Sequence, residues 1–222
     1  MKYIIITISS FLLGGCASVA AEQIKPDIYV DNVTGLATSI ITNYDSVVLD
    51  YDLTLRNGNN IHFSDCSKVD ATHDTDIVES EYHLLRMIRA NCKALALYTN
   101  AESAYKSHLQ EILTEHTVAH LPATAYPYVN EYDKNLRKGK TLKQFHADFK
   151  EKKVFEGVID VETNTKRLSY SVLATGDFDD DRVEDALILI SWHSKEAFGK
   201  GFKLIKVSRP TSEARFSITE LD

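Results

Sequence analysis

Val154-Phe155-Glu156-Gly157-Val158-Ile159-Asp160-Val161-Glu162, Leu168 to Thr175 (LSYSVLAT), Asp185 to Trp192 (DALILISW), Phe202 to Val207 (FKLIKV) and Arg215 to Leu221 (RFSITEL) decide the fold class. Each run is short and apolar-rich, and turn formers such as Glu162-Thr163-Asn164-Thr165 separate them. Five short strands in succession predict an antiparallel sheet over 151–222. A parallel α/β core would need helices between its strands, and this stretch has none to offer.

Upstream of Lys152 the period is helical. Asp76 and Glu79 stand at capping-box spacing, and Val78, Tyr82, Leu85, Ile88, Cys92 and Leu95 form one apolar stripe. A second helix is expected over Ala101–Glu115, with Ala101, Ala104, Tyr105, His108, Leu109, Ile112 and Leu113 on one side. Leu142, Phe145 and Phe149 predict a third, shorter one. Ahead of them, Ser46 to Leu55 (SVVLDYDLTL) reads as a strand ended by Asn57-Gly58-Asn59-Asn60. The expected class is therefore α+β. A helix-rich N-terminal half, 32–150, precedes an antiparallel C-terminal sheet, 151–222, in one domain over 32–222. Neither repeats nor low-complexity segments interrupt it.

Lys2, the apolar run Tyr3 to Leu13 (YIIITISSFLL) and the small residues Gly14, Gly15, Cys16, Ala17 and Ser18 have the layout of a secretory signal over 1–15. The apolar run is too short to span a bilayer as a helix. Leu13-Gly14-Gly15-Cys16 resembles the lipobox of bacterial lipoproteins. That resemblance implies cleavage before Cys16, lipid attachment to Cys16, and a cell-envelope location. Ala17, where an Asp would retain the protein at the inner membrane, implies the outer membrane, with the domain facing the periplasm. Several acyl chains, at about 0.8 kcal/mol per buried methylene, anchor a soluble domain stably. The polar stretch 16–31, with Pro26, is expected to be a tether. An ordinary cleaved signal that discards Cys16 is the other reading.

Composition bounds the partners. Hydrophobic residues make up 44% and charged residues 26%, enough for a real core. The net charge is -7, and removing Lys2 with the leader leaves 24 basic against 32 acidic residues, or -8. Such a chain is repelled by nucleic acid and by anionic lipid surfaces, so no nucleic-acid partner is expected. With Cys16 assigned to the anchor, Cys66 and Cys92 form an even pair in an oxidising compartment, and a disulfide is expected. It would contribute on the order of 3 kcal/mol. Two separate buried thiols are the alternative.

The densest chemical signal is Asp177-Phe178-Asp179-Asp180-Asp181-Arg182-Val183-Glu184-Asp185. Carboxylates fall at its first, third, fifth and ninth positions, and Val183 can offer a backbone carbonyl, the oxygen-rich set that Ca²⁺ takes. Gly176 to Ile188 resembles the calcium-binding turn of FG-GAP and VCBS repeats, strand, G-D-F-(D/N)-G-D-G-x-x-D, strand. The resemblance covers one copy of about thirteen residues, so it implies no propeller. It implies a structural Ca²⁺ held by Asp177, Asp179, Asp181, Val183 and Asp185. Asp180 and Arg182 replace the two glycines of the pattern, and Arg in a left-handed backbone costs about 1 kcal/mol. Ile188 stands where an EF-hand would place its bidentate Glu. A solvated acidic turn of the same shape, without metal, is the competing reading. The turn, its flanking strands and the cysteine pair also resemble proteobacterial lipoproteins, a likeness that implies no activity.

A catalytic alternative starts at Val47-Val48-Leu49-Asp50-Tyr51-Asp52-Leu53-Thr54-Leu55, which is similar to the hhhDxDxT motif of haloacid-dehalogenase-type phosphatases. The similarity implies Asp50 as nucleophile and Asp52 as general acid/base. Ala94 to Asn100 (ALALYTN) then resembles the second motif, a strand ending in Thr99, and Gly176-Asp177 with Asp181 resembles the magnesium motif. Against this, no lysine between Thr99 and Gly176 sits in a strand-and-helix frame, and strands follow Asp177 where a loop and helix belong. His116 and His120 lack the Glu of HExxH, and Trp192 reads as core. The reading preferred is a non-catalytic lipoprotein with a binding or structural role and a calcium-stabilised turn. The alternatives are a Mg²⁺-dependent phosphatase and an immunity or inhibitor lipoprotein that binds a toxin or enzyme.

Overall fold

The C-terminal runs pair as their period requires. A computed structural model of the protein describes residues 22–29, 32, 49–109 and 113–221. Its first elements are β1 (Asp27–Ile28), β2 (Tyr51–Thr54), β3 (Asn60–Phe63), α1 (Cys66–Asp70) and α2 (Tyr82–Thr99). Three short helices follow, α3 (Glu115–His120), α4 (Glu131–Arg137) and α5 (Leu142–Phe145). The remaining strands are β4 (Lys150–Phe155), β5 (Val158–Glu162), β6 (Lys166–Gly176), β7 (Asp185–Ser194), β8 (Lys200–Ser208) and β9 (Ser217–Glu220). β4 to β9 lie side by side in chain order, all antiparallel, and β1 pairs with the far end of β6.

Strand alternation gives the sheet two apolar faces. Ala186, Ile188 and Ile190 of β7, with Ile205 and Val207 of β8, join a core with Leu121, Tyr126 and Leu142 from the α3–α5 segment and Phe149 just before β4. Leu187 and Leu189, with Leu204, pack against Ala90 and Ala94 of α2. The other side of α2 carries Leu85, Ile88, Cys92 and Leu95, which bury against Leu53 and Phe63 of the β2–β3 hairpin and Val69 of α1. Each fully buried side chain of this kind contributes roughly 1.5–3 kcal/mol. The disulfide Cys66–Cys92 ties α1 to α2 inside this second layer.

The expected helical N-terminal half is corrected. The described residues are 28% helical and 36% strand. Only α2 is long, and the other α-helices span 4 to 7 residues. Asp76 does not open α2, because the backbone there is engaged with the hairpin. Arg56 N–H donates to the Asp76 carbonyl and Val78 N–H to the Thr54 carbonyl. Two short 3-10 turns, Asp74–Asp76 and Glu79–Glu81, come first, and the α-helix begins only at Tyr82. The helix expected over Ala101–Glu115 is absent from residues 101–109, where Glu102, Ala104 and Lys106 lie in isolated bridges, and Glu115 instead opens α3. The short helix at Leu142 is present, with Thr141 and Gln144 as its capping box. Val154–Glu162 is two strands rather than one, because Gly157, at φ 73°, turns the chain back. Asn57–Asn60 likewise reverses the chain into β3, a strand not expected. The leader, Leu13–Cys16 with Cys16 itself, Val47-Val48 and part of the tether lie outside the described residues.

Candidate functional site

Gly176-Asp177 ends β6 and Asp185 opens β7, so the acidic turn is the connection of a hairpin at the centre of the sheet. A Cβ on Gly176 would stand 3.1 Å from Ala101 Cβ and 3.2 Å from Pro26 Cβ. The glycine therefore lets two other segments close on the base of the turn. One of them, residues 101–109, holds both of its ends. Glu102 and Asp177 exchange backbone hydrogen bonds, Tyr105 N–H donates to the Arg182 carbonyl at 2.9 Å, and Glu184 N–H donates to the Lys106 carbonyl at 2.8 Å. Ala104 pairs outward with Ile24.

The turn is built around Asp177, whose carboxylate accepts from the backbone N–H groups of Asp181 at 3.2 Å and Arg182 at 2.7 Å. Asp180 and Arg182 have φ of 63° and 68°, the left-handed conformation. These are the two positions where the repeat pattern places glycine. Arg182 tolerates it with its N–H on Asp177, its carbonyl on Tyr105, and its guanidinium 5.9 Å from the centre of the Tyr105 ring.

Of the five expected ligands, Asp177, Asp179 and Asp185 come together, with one oxygen each within 4.8 Å of the others. Asp181 turns its Oδ1 to the Val183 N–H at 2.7 Å, and Val183 lies in a bridge with Lys106. A fourth partner, Lys206, enters from β8. Its Nζ donates to Asp179 Oδ2 and, at 3.3 Å, to Asp185 Oδ2. Burial pushes the Asp185 carboxyl above the ordinary carboxylate range, with Lys206 and Ser208 opposing and Asp179 adding to the shift. Burial alone would lower the Lys206 ammonium, but Asp179 and Asp185 outweigh it and hold it above the ordinary lysine range.

Ca²⁺ takes six to eight oxygens at about 2.3–2.6 Å. Three carboxylates come together here, and an ammonium is bonded to two of them. As described, the set is an ion-pair cluster.

Comparisons with protein families, with curated proteins and with solved structures found no match.

The residues of the catalytic alternative lie on different elements. Asp50 is exposed, and Asp52 meets His62 at 3.1 Å across the β2–β3 hairpin, with both side chains open to solvent. Thr99 ends α2, not a strand, and its hydroxyl donates back to the Ala96 carbonyl. His116 and His120 stack within α3 at 4.1 Å between ring centroids, and His120 Nδ1 is bonded to the His116 carbonyl at 2.7 Å. Trp192 is partly buried against the core beneath the α3–α5 segment. Lys206 is the residue that sequence reasoning missed. Its one signal is a lysine on the same strand face as buried Leu204, in a strand close to an acid-rich turn.

Proposed function

We propose that this chain is an envelope lipoprotein, cleaved before Cys16 and anchored by acyl chains on that cysteine, whose domain binds a partner rather than catalysing a reaction. The observation that carries this is the pairing of Cys66 with Cys92. It takes up every cysteine except Cys16, which follows the apolar run Tyr3 to Leu13. A bridged pair belongs to an oxidising compartment, where a lipobox would deliver the chain. Location at the outer membrane rests on Ala17 and belongs to the same proposal. Asp52 on a two-stranded hairpin, Thr99 at a helix end and Asp177 on an antiparallel sheet do not share the parallel sheet that the phosphatase pattern needs, which supports binding over phosphoryl transfer.

Metabolic labelling with palmitate and membrane fractionation test the anchor. The natural chain should carry label and sediment with membranes, and Cys16→Ser should lose both. A Cys16→Ser protein that still fractionates with membranes would defeat the proposal. The catalytic alternative has its own signature, Mg²⁺-dependent hydrolysis of a phosphomonoester abolished by Asp50→Asn. Turnover of that kind would replace binding with catalysis.

A further inference from the structure

We propose that Lys206 is the resident cation of the acidic turn, so that the turn closes on an ammonium group of the chain itself and needs no calcium. Asp177 and Asp185 are each 2% exposed, and Asp179 faces them. Buried carboxylates in such proximity demand a counter-charge. The backbone N–H groups of Asp181 and Arg182 meet Asp177, and among the described residues only Lys206 brings a full positive charge to both Asp179 and Asp185. The Lys206 side chain is 11% exposed.

Lys206 reaches the turn because of register. It lies opposite Leu187 on β7, two residues along from Asp185, so both side chains project from the α2 face of the sheet. The ammonium is delivered by the fold, at an effective concentration no free ion matches in dilute solution. A calcium ion would have to displace it and leave the lysine charge beside a dication. The left-handed turn at Asp180 and Arg182 is thus kept while the ion it accommodates elsewhere is replaced by a side chain.

The test is thermal unfolding of the mature, detergent-solubilised protein in excess Ca²⁺ and in chelator. A specifically bound ion at a hundredfold excess over its Kd raises Tm by roughly 5–10 °C in a domain of this size. The natural chain should move by less than about 1 °C, within what a non-binding ion does. Lys206→Met should unfold at lower temperature and gain a calcium response of several degrees, larger than that with Mg²⁺, which Asp179→Ala in the same background erases. If Lys206→Met does not fold, the double variant Asp185→Asn/Lys206→Met should, because the buried charge that faces the lysine is gone. A calcium response of several degrees in the natural chain overturns the inference. So does a Lys206→Met protein that is fully stable and indifferent to calcium, or a double variant that fails to fold as the single one does.

Discussion

Trp192 lies across Gly201, its partner on the neighbouring strand, so closely that a Cβ on Gly201 would stand 3.0 Å from the indole. The ring takes the space a side chain would fill, and Lys166 Nζ lies 5.8 Å from its centre. A glycine inside a strand weakens it unless something covers the gap, and here an aromatic neighbour does. Gly201→Ala should therefore destabilise the protein by about 1–3 kcal/mol, as overpacking of a filled site does. Trp192 is the single tryptophan of the chain, so intrinsic fluorescence reports it directly. The emission maximum should shift in the variant, and an unchanged spectrum with unchanged stability would refute the close contact.

Arg182 holds a left-handed backbone that costs an L-residue roughly 1–2 kcal/mol. Arg182→Gly should be at least as stable as the natural chain. Arg182→Val, β-branched in the same conformation, should lose on the order of 1–2 kcal/mol. Equal denaturant midpoints for the two variants would show that the conformation is not retained in solution.

The bridge between Cys66 and Cys92 closes a separation of 26 residues between two fully buried positions. Chain entropy predicts a contribution of about 3 kcal/mol, acting chiefly on the unfolded state. Cys66→Ser/Cys92→Ser should lower the denaturant midpoint accordingly and match the reduced natural protein. Alkylation of two free thiols in the non-reduced natural protein would contradict the bridge.

His146 sets a pH dependence. Its ring stacks on Tyr126 at 4.0 Å between centroids, with Phe145 edge-on and Asp148 at 4.0 Å. Burial, then the Arg137 guanidinium, pushes the imidazole below its ordinary value, and Asp148 only partly opposes them. The folded state binds this proton less readily than the unfolded state. Stability from this group is therefore complete above about pH 6.5 and lost as pH falls through the depressed folded value. His83, lowered by burial and by Lys200, acts with the same sign. His146→Gln should flatten part of the fall in stability between about pH 6.5 and 5. An identical slope in the variant would remove His146 as its source.

The sheet was legible because alternation is local. β6, β7 and β8 follow from their own apolar period, and the antiparallel order follows from the shortness of their connections. The stretch 101–109 was not legible as extended chain. Its apolar spacing fits a helix, but its backbone partners are Ile24, Asp177, Arg182 and Glu184, which no local period reveals. Gly157 inside a strand-like run hid a turn, and the hairpin strand β3 is only four residues long. At the acidic turn the carboxylates were visible in sequence, whereas the cation answering them stands 27 residues beyond Asp179. Only the register of β7 with β8 brings the two together.

The anchor is the claim on which location and function both depend, and it lies on one residue. Mass spectrometry of the amino-terminal peptide, from protein extracted from membranes, tests it directly. Cys16 should be the first residue of the mature chain and carry the mass of a diacylglyceryl group with or without a further acyl chain. A mature chain that begins downstream of Cys16, or an unmodified Cys16, would contradict it.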